Sequence, residues 1–263
     1  YKMRMQHEIQ IGKLEKQKIQ EINHLKLQFF TNITHELMTP LSIILASLEN
    51  LKSGGDKRTL YTVMTANATR LIQQVLEFRK VESGNLKICV SYGDISSFLR
   101  SCAEAFIPLL GKRRQLLSFE STPDIIFGFF DADKLDKIVY NLLSNAAKYT
   151  PEDGQICVRA ALADEYTLQI DVTNTGELMT QKTIDGLFKR FYEGDYRRHN
   201  TIGTGIGLAL VKDLVALHHG TIEAFSNEQT GNCFRIMLPV NKETYRQGEL
   251  DETVTAQRQT AFP

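Results

Sequence analysis

The sequence has no excess of either charge, since 31 Lys and Arg are matched by 31 Asp and Glu. A chain balanced in this way has no global electrostatic attraction for nucleic acid or for an anionic membrane, so any phosphate binding has to be local. Cysteine is scarce. The four present, Cys89, Cys102, Cys157 and Cys233, never form a CxxC pair or a cluster with histidine. That scatter argues against a zinc site or a disulfide framework and fits a reducing cytosol. No apolar run approaches the roughly 18 residues of a membrane span, the longest lying near Leu41 to Leu48, and nothing reads as a secretory leader. The chain opens on Tyr1 rather than Met, which leads us to expect a fragment and leaves membrane attachment upstream open. What is present is ordinary: 42% apolar and 24% charged residues with 17 Gly and 6 Pro exclude collagen-like, low-complexity and wholly disordered chains.

Periodicity divides the chain. Residues 1–24 are rich in Lys, Gln, Glu, Ile and Leu, with Ile11 and Leu14 on a loose heptad, and are expected to form a helical coiled-coil lead-in. Over 25–84 the pattern is a helical hairpin. Ile22, Leu25, Phe29, Ile33 and Leu37 recur at steps of three and four, and Leu60, Met64, Ala68, Leu71, Val75 and Phe78 do so again beyond a Ser53-Gly-Gly-Asp56 break. Pro40 is expected to kink the first helix. Two such helices cannot enclose a core, so two copies are expected to form a four-helix bundle. Residues 85–240 change texture to short strands interleaved with helices, a mixed α/β domain. Strands are expected at Leu86–Tyr92, Leu116–Ser121, Gln155–Leu162, Tyr166–Asn174, Thr221–Ser226 and Cys233–Pro239. Helices are expected at Asp94–Leu110, Asp131–Tyr149 and from Gly207 to His218. Residues 241–263 are polar and aperiodic and read as a tail or linker.

Four constellations bear chemistry. His35 lies about 200° round its helix from Ile33, away from the apolar stripe, and Glu36 beside it has the means to hold one ring nitrogen and leave the other nucleophilic. An ordinary surface His-Glu pair has the same appearance. Lys134, Lys137, Asn141, Asn145 and Lys148 share one flank of a helix whose buried stripe is Leu135, Ile138, Leu142 and Ala146. Carboxamide oxygens suit Mg²⁺ and ammoniums suit phosphate, so the strip matches a magnesium-bound triphosphate, although a solvated face would also account for the lysines. Gly203-Thr204-Gly205-Ile206-Gly207-Leu208 opens a helix, where glycines admit close backbone approach and free N–H groups meet phosphate; a flexible connector is the plainer reading. Asn174-Thr175-Gly176 ends a strand and is, alone, no more than a turn.

The order His-Glu-x-x-Thr-Pro, Asn-x-x-x-Asn, strand-terminal Thr-Gly and GTGIGL is more specific than its parts. With it, the stretch from Leu25 to Pro239 resembles the cytoplasmic catalytic core of bacterial two-component sensor histidine kinases, and residues 78–84 resemble the hybrid sensor branch. The resemblance implies an α+β chain, a helical hairpin forming a dimeric four-helix bundle followed by an α/β sandwich of the GHKL (Bergerat) type. It implies a homodimer that phosphorylates His35 from ATP and Mg²⁺ and passes the phosphoryl group to a receiver-domain aspartate of a response regulator, with no nucleic acid or membrane contact in this region. The location it implies is the cytoplasmic part of an inner-membrane-anchored sensor.

By that resemblance His35 is the phosphoacceptor, Glu36 its base, and Thr39 a positioner of water in dephosphorylation. Asn145 would hold Mg²⁺ with Asn141 in support, Lys148 would meet phosphate, and Tyr149, Asn174 and Gly176 would face the nucleotide. Phe188, Phe191 and Tyr192 match an aromatic box, and Gly203 through Leu208 a glycine box. Asn174 and Leu178 stand where the family carries Asp and Gly, which removes a charge at the adenine and stiffens the following loop. Met38 replaces a common Arg. Those departures motivate the alternative of a weakly catalytic or phosphatase-biased signalling scaffold that binds nucleotide weakly. A gyrase-like or Hsp90-like ATPase is a third possibility, one that gives no reason for the His-Glu pair.

Overall fold

The computed structural model describes residues 86–190, Tyr192 and 207–251, with Gly12 alone before them. The chain divides into two units, Tyr1–Arg79 with Arg190–Ile206, and Lys80–Lys189 with Gly207–Pro263, and nearly all the described residues belong to the second. The helical lead-in, the hairpin, the expected bundle and the residues after 251 lie outside the described residues.

The strands are β1 (Ser91–Asp94), β2 (Leu116–Thr122), β3 (Phe127–Phe130), β4 (Gln155–Leu162), β5 (Thr167–Asn174), β6 (Thr221–Asn227) and β7 (Gly231–Pro239). Between them run α1 (Ile95–Glu104), α2 (Ile107–Gly111), α3 (Ala132–Tyr149), α4 (Gln181–Gly186) and α5 (Gly207–Leu217). Five strands form one mixed sheet in the order β2-β4-β5-β7-β6, parallel only between β2 and β4. β1 and β3 pair separately. Alternation in the strands sends Ile156, Val158 and Ala160 of β4, Leu168, Ile170 and Val172 of β5, and Phe234, Ile236 and Leu238 of β7 into the core. Against them lie Leu135, Ile138, Leu142 and Leu143 of α3 and Leu210 and Leu214 of α5, all buried. Each Val, Leu, Ile or Phe among them contributes about 1.5–3 kcal/mol on burial.

The opposite face carries a row of alternating charge. Register aligns Glu120, Arg159, Asp171, Arg235 and Glu223 across all five strands. Arg159 meets Glu120 at 2.9 Å with both side chains exposed, an arrangement worth about 0–1 kcal/mol. The central pair matters more. Asp171 is buried and accepts two bonds from Arg235, at 2.8 and 2.9 Å, so removing the guanidinium would strand a carboxylate at a cost of about 3–5 kcal/mol.

Several sequence expectations need correction. The helix expected over Asp94–Leu110 is two helices, because Pro108 lacks an N–H and would crowd the carbonyl four residues back, so α1 stops at Glu104 and α2 starts afresh. The strand expected at Leu86–Tyr92 pairs only from Ser91, preceded by a single bridge between Val90 and Leu250. β3 and α4 were not anticipated. In β3, Gly128 is required by crowding, since a Cβ there would lie 2.6 Å from Val240 Cβ. The first residues beyond 240 do not behave as a tail. Tyr245 is buried with Ile88 and Val90, its hydroxyl donating to Pro239 O at 2.8 Å, and two 3-10 turns, Lys242–Thr244 and Gln247–Glu249, carry the chain to Leu250. A polar segment with one aromatic is fastened by that aromatic, which composition averages away. Among the described residues no helix is long and apolar enough to cross a membrane.

α3 begins at a cap rather than in solvent. Asp131 is buried, and its carboxylate accepts the Lys134 N–H at 3.0 Å and the Cys89 N–H at 2.8 Å, a type of cap worth about 1 kcal/mol. The Asp131 N–H donates to Nε2 of His218 at 3.3 Å, while His218 Nδ1 lies 2.9 Å from Leu214 O. His218 is therefore held as the neutral Nδ1–H tautomer, and burial pushes its pKa down, against the opposing pull of the Leu214 carbonyl and the Asp131 carboxylate. The unfolded chain then takes up this proton first. Stability is expected to be full above the ordinary imidazole value of about 6.5 and to fall as pH drops below it towards the depressed folded value. Urea midpoints of the wild type and His218→Gln from pH 7.5 to 5 (on the order of one unit either side of 6.5) should differ in slope, and parallel profiles would remove His218 from this role.

Candidate functional site

The carboxyl-terminal half of α3 brings the polar residues together. Asn141 is buried and donates Nδ2 to Lys137 O at 2.7 Å, which ties down the donor end of its amide. Its Oδ1 faces α5, where a Cβ on Gly207 would lie 2.9 Å away. Glycine at 207 is what allows helix α5 to approach the Asn141 carboxamide this closely. One turn on, Asn145 is half-buried, and its amide engages none of the described residues. Lys148 Nζ lies 5.2 Å from the centre of the Tyr149 ring, and burial raises the Tyr149 pKa, so the phenol stays neutral.

The expected ammonium strip is in part committed to a carboxylate. Lys134 and Lys137 both meet Asp133 at 2.8 Å. Burial works to raise the Asp133 pKa, but the hydrogen bonds from Lys134 and Lys137 outweigh it and hold the carboxyl low. Asp133 in the first helical turn is thus both a counter-ion and a favourable charge for the helix dipole.

The end of β5 meets the end of α3. A Cβ on Gly176, whose φ is 154°, would lie 2.8 Å from Tyr149 O, so the strand-terminal glycine permits these two backbones to touch. Asn174 is buried and opposite Ile156 and Asn232 in the sheet. Its Nδ2 donates to Thr175 O at 3.0 Å, and its Oδ1 has no partner among the described residues. The segment after Gly176 is pinned to the sheet: Asn232 donates to Glu177 O at 3.0 Å, Ser226 Oγ donates to Asn232 Oδ1 at 2.7 Å, and Met179 N–H donates to Ser226 Oγ at 3.0 Å. Leu178 is exposed between these tethers. Phe188 packs edge-on to Phe234 with ring centres 6.4 Å apart.

Of the residues singled out from sequence, Asn141 with Gly207, and Tyr149 with Gly176 and Asn174, are brought together here. Leu208 follows in α5 and is partly buried. His35, Glu36, Thr39, Gly203, Thr204, Gly205, Ile206 and Phe191 lie outside the described residues. Asp131, Asn232 and Ser226 were missed. An Asp before an apolar-periodic segment is a readable cap signal for the first, whereas the other two matter only through strand register, which no local pattern carries.

Residues 130–242 match the family profile described as histidine kinase-, DNA gyrase B-, and HSP90-like ATPase, and residues 25–84 match the His Kinase A (phospho-acceptor) domain. Histidine kinase P4 of Formosa agariphila is 32% identical over 260 residues, covering 95% of this chain and 19% of that protein. The chain thus spans between about a sixth and a half of the length of the curated relatives it matches, 24% in the case of sensor histidine kinase TmoS of Ectopseudomonas mendocina. The nucleotide-free catalytic domain of histidine kinase ThkA superposes with a TM-score of 0.53 at 21% identity, covering 59% of this chain and 99% of that one. ThkA solved in complex with the response regulator TrrA gives 0.56 at 18% identity, covering 82% and 62%. These two structures share the fold. The layer of helices on a mixed sheet is that of the ATPase family, following the phospho-acceptor region in sequence.

The Gly176 seam is testable. Gly176→Ala would drive a methyl against a backbone carbonyl that has no rotamer to escape into, and should cost about 1–3 kcal/mol. The reading is a lowered urea midpoint, and an unchanged one would show that the seam opens freely.

Proposed function

The chain belongs to the sensor histidine kinases, and from that premise we propose that it transfers the terminal phosphoryl group of ATP to a ring nitrogen of His35 and then to an aspartate of a response-regulator receiver domain. The observation that carries the nucleotide half is the meeting of Asn141 with Gly207 and of Tyr149 with Gly176, which sets the Asn141 amide oxygen against α5 and the buried Asn174 amide near the end of α3.

Asn174 bears on the adenine. Its donor end is committed to Thr175 O, so the end left over is an acceptor, the group needed by an exocyclic amino hydrogen. Loss of a carboxylate at this position therefore leaves the recognition intact in kind, which supports nucleotide binding in the kinase reading and equally in the weakly catalytic or phosphatase-biased alternative. Lys148 would supply a cation for the phosphates, and the glycine-rich segment leading into α5 would supply backbone N–H groups for phosphate oxygens. Asn145, with its unengaged carboxamide, has the hard oxygen that Mg²⁺ prefers, with Asn141 Oδ1 one turn away. When bound there, Mg²⁺ would neutralise charge on the phosphates.

In the transfer itself, a lone pair on one His35 nitrogen forms the N–P bond while the bond from the terminal phosphorus to the bridging oxygen breaks, its electron pair leaving with ADP. Glu36 takes the proton from the other ring nitrogen. The second step reverses the logic: a receiver carboxylate forms an O–P bond, the N–P bond breaks, and the imidazole recovers its proton. Catalysis in such transfers is largely positioning and charge stabilisation. Thr39 would orient water when the same surface removes phosphate from the regulator. Dimerisation through residues 25–84 and attachment of this core to a membrane sensor belong to the same proposal and rest on the family.

Two outcomes check it. Label from the terminal phosphate of ATP should appear on the wild type as an acid-labile, alkali-stable adduct and be absent from His35→Gln; label persisting in the variant would move the acceptor elsewhere. Asn174→Leu should weaken ATP binding roughly tenfold by removing the buried acceptor while leaving guanosine triphosphate binding unchanged, and equal loss of both nucleotides would show that Asn174 does not read the base.

A further inference from the structure

The turn between α2 and β2 reaches across the domain to the end of α3. Arg113 donates Nη1 to Ala147 O at 2.7 Å and Nη2 to Thr150 O at 3.3 Å. Gln115 donates Nε2 to the same two carbonyls, at 3.1 and 2.6 Å, and lies 3.4 Å from Pro151 O. Between them Arg114, at φ 53°, grips Asp153 at 2.7 and 2.9 Å and Glu152 at 3.2 Å. Three consecutive side chains from one turn therefore hold the last turn of α3 and the loop after it. These residues precede the region matched by the ATPase family profile, which begins at residue 130.

The two shared carbonyls, Ala147 O and Thr150 O, bracket Lys148 and Tyr149. Tyr149 O in turn abuts Gly176, next to the buried Asn174. Gln115 is itself an unusual occupant. It is buried, its Oε1 has no partner, and the hydroxyl of the equally buried Thr150 has none either. An apolar pair of the same shape would avoid both unmet groups but would leave Ala147 O and Thr150 O to Arg113 alone. What the amide supplies is one donor aimed at the carbonyls that a helix leaves open at its end.

We propose that Arg113 and Gln115 are positioning residues for the nucleotide, setting the last turn of α3 so that Lys148 and Tyr149 stand at the correct depth against Gly176 and Asn174. The assignment rests on the nucleotide-binding role proposed for this site. Neither residue touches the reacting atoms. Their effect is on how well the site is formed before ATP arrives, and so appears in nucleotide affinity rather than in the rate of the bound complex.

The test uses the full chain, with ATP concentration varied in an autophosphorylation assay and binding followed by displacement of a fluorescent ADP analogue. Gln115→Met with Arg113→Ala should raise the KM for ATP roughly tenfold and leave the saturated rate within about twofold. Arg113→Lys, which keeps a donor for Ala147 O, should stay close to the wild type. Tyr245→Phe, which loses a buried hydroxyl bond in the cluster with Ile88 and Val90, is the control for general loss of stability, compared at the same distance below its urea midpoint. An unchanged KM in the double variant, or an equal rise in the control, overturns the assignment. Should the double variant fail to fold, Gln115→Met alone decides, with about a threefold rise expected and none overturning the idea. Failure of the wild type to bind the ADP analogue would instead overturn the nucleotide reading, and the positioning role with it.

Discussion

A helix whose ends are inside the protein has to find partners for backbone groups that water would otherwise satisfy, and α3 meets that demand at both ends. At the start, Asp131 accepts from Lys134 and Cys89 while its own N–H goes to His218. At the finish, Arg113 and Gln115 cover Ala147 O and Thr150 O. The buried stripe of the helix then fixes its rotation over the sheet, through Leu135, Ile138, Leu142 and Leu143. With translation and rotation both determined, the flank bearing Asn141, Asn145 and Lys148 has one place to be. The polar chemistry of the domain is thus a by-product of how a single amphipathic helix is seated.

Neutrality at the level of the chain hides strong local ordering of charge. Two lysines of α3 are matched by Asp133, and the open face of the sheet alternates acid and base strand by strand. Only the central pair of that row, Asp171 with Arg235, is shielded enough to weigh on stability, and Gln169 adds a further bond to the carboxylate at 2.9 Å. Lys148, at the far end of the same helix, lies over the ring of Tyr149. The cation that the family resemblance assigns to phosphate is thus set by the fold beside an aromatic ring.

Legibility followed range. The Leu135, Ile138, Leu142 and Ala146 stripe, the strands β4 and β5, and the helix running from Gly207 towards His218 were readable because each depends on spacing within a few residues. The break before α2 was signalled by Pro108 and overlooked in a helical stretch that was otherwise apolar and periodic. β3 is four residues with a central glycine, a pattern that reads as a turn until Val240 is seen against it. In the site, the amide and glycine motifs were visible, yet the fastening of α3 by Arg113 and Gln115 was not, since it joins residues more than thirty apart with no periodic trace. Tyr245 was hidden for the same reason: one anchoring aromatic in a polar stretch does not shift its average.

The bridge between Val90 and Leu250 places the chain on its way into the domain beside the chain on its way out. Val90 donates to Glu249 O at 2.7 Å and accepts from Asp251 N–H at 2.9 Å, and the two segments run in the same direction. Tension applied between the residues before Leu86 and those after Asp251 would pull parallel neighbours past each other along their length. Both hydrogen bonds would carry such a load at once, in shear, instead of parting one after the other as in peeling. Mechanically, the domain is clamped across its own two ends, and a displacement of one flanking segment is passed to the other without first deforming the sheet.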